Sequence, residues 1–254
     1  MTIFHVIVLS IVEGITEFLP ISSTGHLILS ARLLNLPQTD FMKTFEIVIQ
    51  LGAIAAVVLL YGKNLLFNKL MLGRVLVAFL PTAILGFTLY PFIKHVLFDS
   101  PHVIASALLF GGIVLIMFER FYKKNKESTI EDVSLRNSFI IGTIQAISFV
   151  PGVSRAAATI LGGLFVGLSR AQAVKFSFFL AIPTMLAATG LDLMKTGWNF
   201  STHELTLLSI GIAGSCITAL IVITWLMKYI EHHTFVSFGI YRISVSLLYV
   251  YFFL

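Results

Sequence analysis

Six apolar runs of near-uniform length, separated by short polar connections, cover about 43–61, 75–92, 103–119, 173–192, 205–226 and 237–254. Each is close to the roughly 17–25 residues that a helix needs to cross a bilayer, and each predicts a transmembrane helix. Two further segments, about 3–34 and 137–169, read differently. Their arms are short and are interrupted by Pro20-Ile21-Ser22-Ser23-Thr24-Gly25 or by Pro151-Gly152-Val153-Ser154-Arg155. Such arms are too short and too polar at the break for two crossings each, and predict re-entrant helical hairpins.

The pattern occurs twice. Phe18-Leu19-Pro20-Ile21-Ser22-Ser23 reappears as Phe149-Val150-Pro151-Gly152-Val153-Ser154, with the prolines 131 residues apart; Phe45 and Phe176, and Leu33 and Leu164, keep that offset. An offset near half the length indicates internal duplication. Three crossings per repeat is an odd number, so the second repeat must be inverted relative to the first. The expected fold is therefore an all-α polytopic membrane protein. It has two inverted repeats, about 1–125 and 132–254, each a re-entrant hairpin plus three transmembrane helices, within one membrane domain covering 1–254.

Composition agrees with that layout. Hydrophobic residues make up 57% and charged residues 11%, with a mean hydropathy of +0.97, which leaves little polar sequence for a separate soluble domain. The net charge of +5 does not indicate nucleic acid, because the basic residues fall mainly in the connections. One side carries Lys63, Lys69, Arg74, Arg120, Lys123, Lys124, Lys126, Arg136, Arg170, Lys175 and Lys228; the other carries Arg32, Lys43, Lys94 and Lys195. That imbalance makes the first side cytoplasmic and places both termini outside, so the first hairpin enters from outside and the second from the cytoplasm. Their tips would then meet near the midplane. Cys216 is the only cysteine, which excludes an intramolecular disulfide and reads as packing. The first nineteen residues have no basic n-region and carry two carboxylates, so the segment is expected to stay in the mature protein rather than be cleaved as a signal peptide.

Chemistry concentrates at the tips. Glu13 and Glu17 share one helix face at i, i+4, and an ionised group deep in a bilayer costs about 2.5–3.5 kcal/mol even on a lenient scale. The helices restarting after Ser22-Ser23 and at Ser154 present positive N-terminal ends suited to phosphate or carboxylate. Ser22, Ser23, Thr24 and Thr159 add hydroxyl donors, and Arg155 adds a planar fork suited to phosphate oxygens. Two carboxylates facing an anion call for a divalent cation, Mg²⁺ or Ca²⁺; alternatively, one of them is a buried base. Ser23 as nucleophile with His26 as its base is a further arrangement. Plainer roles compete: the serines as helix caps, His26 as a satisfied polar group, and Arg155 as a counter-ion to Glu13 or Glu17. Glu46 is left open as a snorkelling residue, and Lys175, Lys228 and Arg242 read as interfacial or topological.

Glu13-Gly14-Ile15-Thr16-Glu17 through His26 resembles the glutamate-rich motif of the undecaprenyl pyrophosphate phosphatase family, also known for bacitracin resistance. Pro151-Gly152-Val153-Ser154-Arg155 through Thr159 is similar to that family's second motif, and the segments Lys43 to Gly52 and Phe176 to Pro183 also match. The resemblance implies an enzyme of the bacterial cytoplasmic membrane. It would remove the terminal phosphate of undecaprenyl pyrophosphate to regenerate the carrier lipid for wall synthesis, with its site open to the outer side. It further implies metal or general-base roles for Glu13 and Glu17, nucleophile and partner roles for Ser23 and His26, and pyrophosphate binding by Gly152, Ser154, Arg155 and Thr159, with Ser22 and Thr24 assisting. Expected partners are the lipid substrate, bilayer lipid and, as a possible assembly, a homodimer. One departure stands out: the family usually has a serine after Ser-Arg, where this chain has Ala156, so one phosphate donor is lost.

Type 2 phosphatidic acid phosphatases also use Ser-Gly-His, but they need a histidine at a set distance after a later Ser-Arg, and Ala156-Ala157-Ala158-Thr159-Ile160-Leu161 leads to none. A transporter or flippase for undecaprenyl phosphate is the alternative from another class, since inverted repeats with broken hairpins also build transporters.

Overall fold

The computed structural model describes residues 1–92, 100–122, 129–196 and 200–253. Lys94, Lys123, Lys124 and Lys126, counted above toward topology, lie outside the described residues.

Among the described residues the architecture is helical throughout. The helices are α1 (Ile3–Thr16), α2 (Ser23–Leu33), α3 (Asp40–Val48), α4 (Gln50–Phe67), α5 (Lys69–Phe92), α6 (Pro101–Phe121), α7 (Leu135–Gln145), α8 (Arg155–Phe165), α9 (Arg170–Thr196), α10 (Thr202–His232) and α11 (Val236–Phe253). Six segments are long and apolar enough to cross a membrane: Asp40–Phe67, Lys69–Leu89, Pro101–Phe121, Arg170–Lys195, Thr202–His232 and Val236–Phe253. They coincide with the six predicted runs, although the first is longer than expected and is interrupted at Ile49, between α3 and α4. The shorter pairs α1/α2 and α7/α8 fall where the hairpins were predicted. At about 1.5 Å per residue, the 14 residues of α1 reach only some two-thirds of the ~30 Å hydrocarbon thickness.

Side-chain caps define where these helices start. Thr39, Ser134 and Ser201 accept hydrogen bonds from Met42, Asn137 and Glu204 backbone amides, at the starts of α3, α7 and α10. Each satisfies an amide that the first helical turn leaves without a partner.

Packing follows an exchange between the two halves. The arm α1 lies along α10 while the arm α7 lies along α5; α4 packs on α10 as α5 packs on α9; α6 pairs with α11. Close approach depends on small residues at the crossings. A methyl at Gly14 would meet the Ser215 carbonyl and Thr218 of α10, and one at Gly142 would run into the Ala78 carbonyl of α5. The main apolar core gathers Phe18, Phe176, Phe178 and Phe179 with Ala156, Ile160 and Ile223, and it walls the two tips in.

Candidate active site

Both tips break for the same local reason. After α1 the chain turns through Pro20 to Ser22, and after a short 3-10 turn at Ala146–Phe149 it turns through Pro151 to Ser154. Ser22 and Ser154 adopt left-handed φ values of 75° and 77°, which L-residues rarely take and which cost of order 1–3 kcal/mol. Each compensates as an N-cap: Ser22 Oγ accepts from the Gly25 amide and Ser154 Oγ from the Ala157 amide. Ser22 and Ser154 are therefore counterparts, 132 residues apart, and Arg155 stands where the first tip has Ser23. The uniform offset of 131 is corrected at this point. The second tip holds one more residue between proline and cap, which Gly152 accommodates at φ 94°.

The tips meet through charge. Arg155 Nη2 donates to Glu17 Oε1 at 2.8 Å, and Ser23 Oγ donates to Glu17 Oε2 at 2.5 Å. Arg155 Nη1 reaches the Ser177 carbonyl at 3.0 Å, Thr159 Oγ1 donates to Ser177 Oγ at 2.6 Å, and the guanidinium lies 5.6 Å from the Phe18 ring centre. Glu17, Ser23, Arg155 and Thr159 are thus joined by one run of contacts, with Ser177 of α9 as a member the sequence reading missed. Arg155 Nε is buried with no hydrogen-bond partner, a donor left for a ligand.

Glu13 is completely buried, and apart from Glu17, an acceptor to which it can bond only by sharing a proton, neither carboxylate oxygen has a hydrogen-bond partner. It lies within electrostatic reach of Glu17, Glu46 and Arg155. A buried carboxylate without donors needs a proton or a cation, so Glu13 fits the expected divalent ion. Glu17 retains lone pairs beyond those used by Arg155 and Ser23. Among the described residues no group of three or more His, Cys, Asp or Glu is arranged to hold a metal. Two carboxylates completed by phosphate oxygens and water are the usual surroundings of Mg²⁺.

The expected Ser23–His26 pair is corrected. His26 Nδ1 contacts the Ser22 carbonyl at 2.7 Å and Nε2 contacts Tyr241 Oη at 2.9 Å. Ser23, at the first residue of α2, turns its hydroxyl back toward the carboxylate that ends α1, while His26 one turn on faces α11. Thr24 is half-buried in the same first turn of α2, and Ala156 is packed into the main apolar core.

Arg242 is the largest correction. Instead of sitting at an interface it is 0% exposed. Its guanidinium donates to the carbonyls of Pro20 (3.1 Å), Gly152 (2.8 Å), Val153 (2.8 Å), Ala107 (2.9 Å) and Leu108 (3.4 Å). Broken helices leave carbonyls without partners, here those of Pro20, Gly152 and Val153, and arginine carries five donors on one plane, enough to reach Ala107 and Leu108 of α6 as well. Gly111 makes the room, since a methyl there would overlap the guanidinium. The signal was a charge inside an apolar run, the same that marked Glu13 and Glu17.

Fold and site together define an integral membrane protein with a buried carboxylate–guanidinium centre, built where two interrupted hairpins touch. Residues 6–248 match the family described as Bacitracin resistance protein BacA, and the chain belongs to that family. It is 48% identical over 255 residues to an undecaprenyl-diphosphatase of Aquifex aeolicus, covering 100% of both chains. It is 49% identical to one of a Sulfurihydrogenibium species, covering 98% of each. With one of Thermus thermophilus it shares 42%, covering 99% of this chain and 97% of the relative.

Proposed function

We infer that this chain is an undecaprenyl-diphosphatase, an integral membrane hydrolase that converts undecaprenyl diphosphate and water to undecaprenyl phosphate and inorganic phosphate. The observation that carries this reading is the hydroxyl–carboxylate–guanidinium run Ser23–Glu17–Arg155 at 2.5 and 2.8 Å, joining two helix starts. Ser23 Oγ is the nucleophile. As it bonds to the terminal phosphorus, its proton passes to Glu17 and the bridging P–O bond breaks, leaving the lipid phosphate with the electron pair. Water then cleaves the phosphoserine. Arg155, through its unpartnered Nε, and the amides that open α2 and α8 hold the phosphate oxygens. An incoming phosphate also competes for Arg155 and so frees Glu17 to act as the base.

Glu13 and Glu17 would hold the divalent cation, Mg²⁺ or Ca²⁺, which offsets charge on the diphosphate when bound. Gly152 and Ser154 contribute backbone at the second tip, Ser22 and Thr24 at the first, and Thr159 orients Ser177 beneath Arg155.

The finer architecture belongs to the same reading. The exchanged packing of α1 on α10 and α7 on α5 supports one membrane domain of two inverted repeats, with α1/α2 and α7/α8 as re-entrant hairpins. The excess of basic residues on one side supports insertion in the bacterial cytoplasmic membrane with the site open to the outer side. Assembly as a homodimer is part of this proposal, and cross-linking in native membranes tests it.

Purified protein in detergent with a prenyl diphosphate should release phosphate in a metal-dependent manner. Chelation should stop release, and Glu17→Gln, Ser23→Ala and Arg155→Ala should each abolish it while remaining folded. A parent that binds lipid yet releases no phosphate would overturn the reading in favour of transport.

A further inference from the structure

We propose that Tyr241 is a catalytic residue of this centre, the donor through which His26 delivers a proton to the departing phosphate oxygen. The proposal rests on the diphosphatase reading. Geometry fixes the histidine first. The Ser22 carbonyl can only accept, so Nδ1, 2.7 Å away, carries a hydrogen in every charge state. Nε2 is then the nitrogen that exchanges a proton, and it faces Tyr241 Oη at 2.9 Å.

Access fixes the tyrosine. His26 is 8% exposed with both nitrogens engaged, so an incoming group cannot reach the imidazole without displacing a partner. Tyr241 is 44% exposed, and its ring stacks on the imidazole at 5.5 Å with planes 6° apart. The pair thus sets a partly exposed tyrosine one contact away from the first turn of α2, backed by an imidazole. Its position is set by the neighbouring Arg242, whose bonds to Pro20, Gly152 and Val153 hold α11 against both tips, and by Tyr249 Oη, which donates to the Gly25 carbonyl at 2.9 Å.

The contact serves both charge states. With His26 neutral, Oη–H donates to Nε2; with His26 protonated, Nε2–H donates to Oη and the tyrosine proton turns outward. The step starts from protonated His26: when the bridging P–O bond breaks, the Oη–H proton moves to the leaving oxygen and the Nε2 proton replaces it on Oη, leaving neutral imidazole. In the second half, the attacking water returns a proton along the same path and Glu17 returns its proton to Ser23 Oγ. Protons balance over one hydrolysis.

The test uses the full chain in detergent, with the parent as reference. Tyr241→Phe should lower kcat on a prenyl diphosphate about 100-fold, the low end for loss of a general acid, with KM unchanged. With an aryl phosphate whose leaving group departs unprotonated, the loss should nearly vanish. In ¹⁵N-histidine-labelled protein, the Nε2 resonance of His26 should move in the variant while Nδ1 does not. A fluorinated tyrosine at position 241, which keeps the ring in place, should change kcat with hydroxyl acidity and covers the case in which Tyr241→Phe misfolds. Full kcat in Tyr241→Phe, or equal losses on both substrates, overturns the relay while leaving the diphosphatase standing. A parent without phosphate release removes the diphosphatase reading and the relay with it.

Discussion

Glu13 and Arg242 are both charges in apolar sequence, yet the protein treats them in opposite ways. Arg242 spends its donors on five carbonyls, whereas Glu13 has both oxygens unpartnered apart from its contact with Glu17. Glutamine at position 13 removes the charge and supplies an N–H that can donate to the neighbouring Glu17, so Glu13→Gln should raise the metal-free protein's stability by about 1–3 kcal/mol while removing its stabilisation by Mg²⁺. Unfolding scans in detergent with chelator and with Mg²⁺ measure both, and unchanged Mg²⁺ stabilisation in the variant would exclude Glu13 as a ligand. At this scale the sequence marked Glu13, Glu17, Ser23 and Arg155 through their cost in a bilayer or their place after a helix break. It did not mark Ser177 or Tyr241, because a serine and a tyrosine in apolar helices cost little and carry no signal until their partners are known.

The interrupted hairpins are the elements that build the site. Each restarts on a serine whose φ is left-handed and whose hydroxyl caps the next helix. Ser22→Ala keeps the strain and loses the cap, and should cost about 1 kcal/mol. Ser22→Gly loses the cap but relieves the strain, so chemical unfolding should place it within a few tenths of a kcal/mol of the parent. The helix break was legible from proline followed by small polar residues. The one-residue difference between the tips was not, because matching Pro20 with Pro151 aligns Ser23 with Ser154, while the backbone aligns the two residues that cap.

For the whole molecule, α1 packs on α10 as α7 packs on α5, and in the proposed inverted arrangement the two hairpins enter from opposite faces so that their tips meet at depth. Asn35, between α2 and α3, and Thr129, before α7, are both exposed and are suited to labelling. In a Cys216→Ser background, Asn35→Cys in intact cells should react with an impermeant maleimide from outside, and Thr129→Cys only after permeabilisation. Reaction of both from one side would remove the inverted arrangement.

Hydrophobic run length and the polar interruptions by themselves determined the helical class, six spans and the two broken hairpins, because the bilayer leaves a backbone few ways to satisfy its hydrogen bonds. The family motifs are contiguous in the chain, so they too could be read without a fold. Only the tertiary structure decided the partners: Glu17 with Arg155 across 138 residues, His26 with Tyr241 across 215, and Arg242 with Pro20 across 222. Such pairings depend on how helices rotate and cross, which steric contacts such as Gly142 on Ala78 and Gly111 beneath Arg242 fix, and no local pattern of residues encodes that rotation.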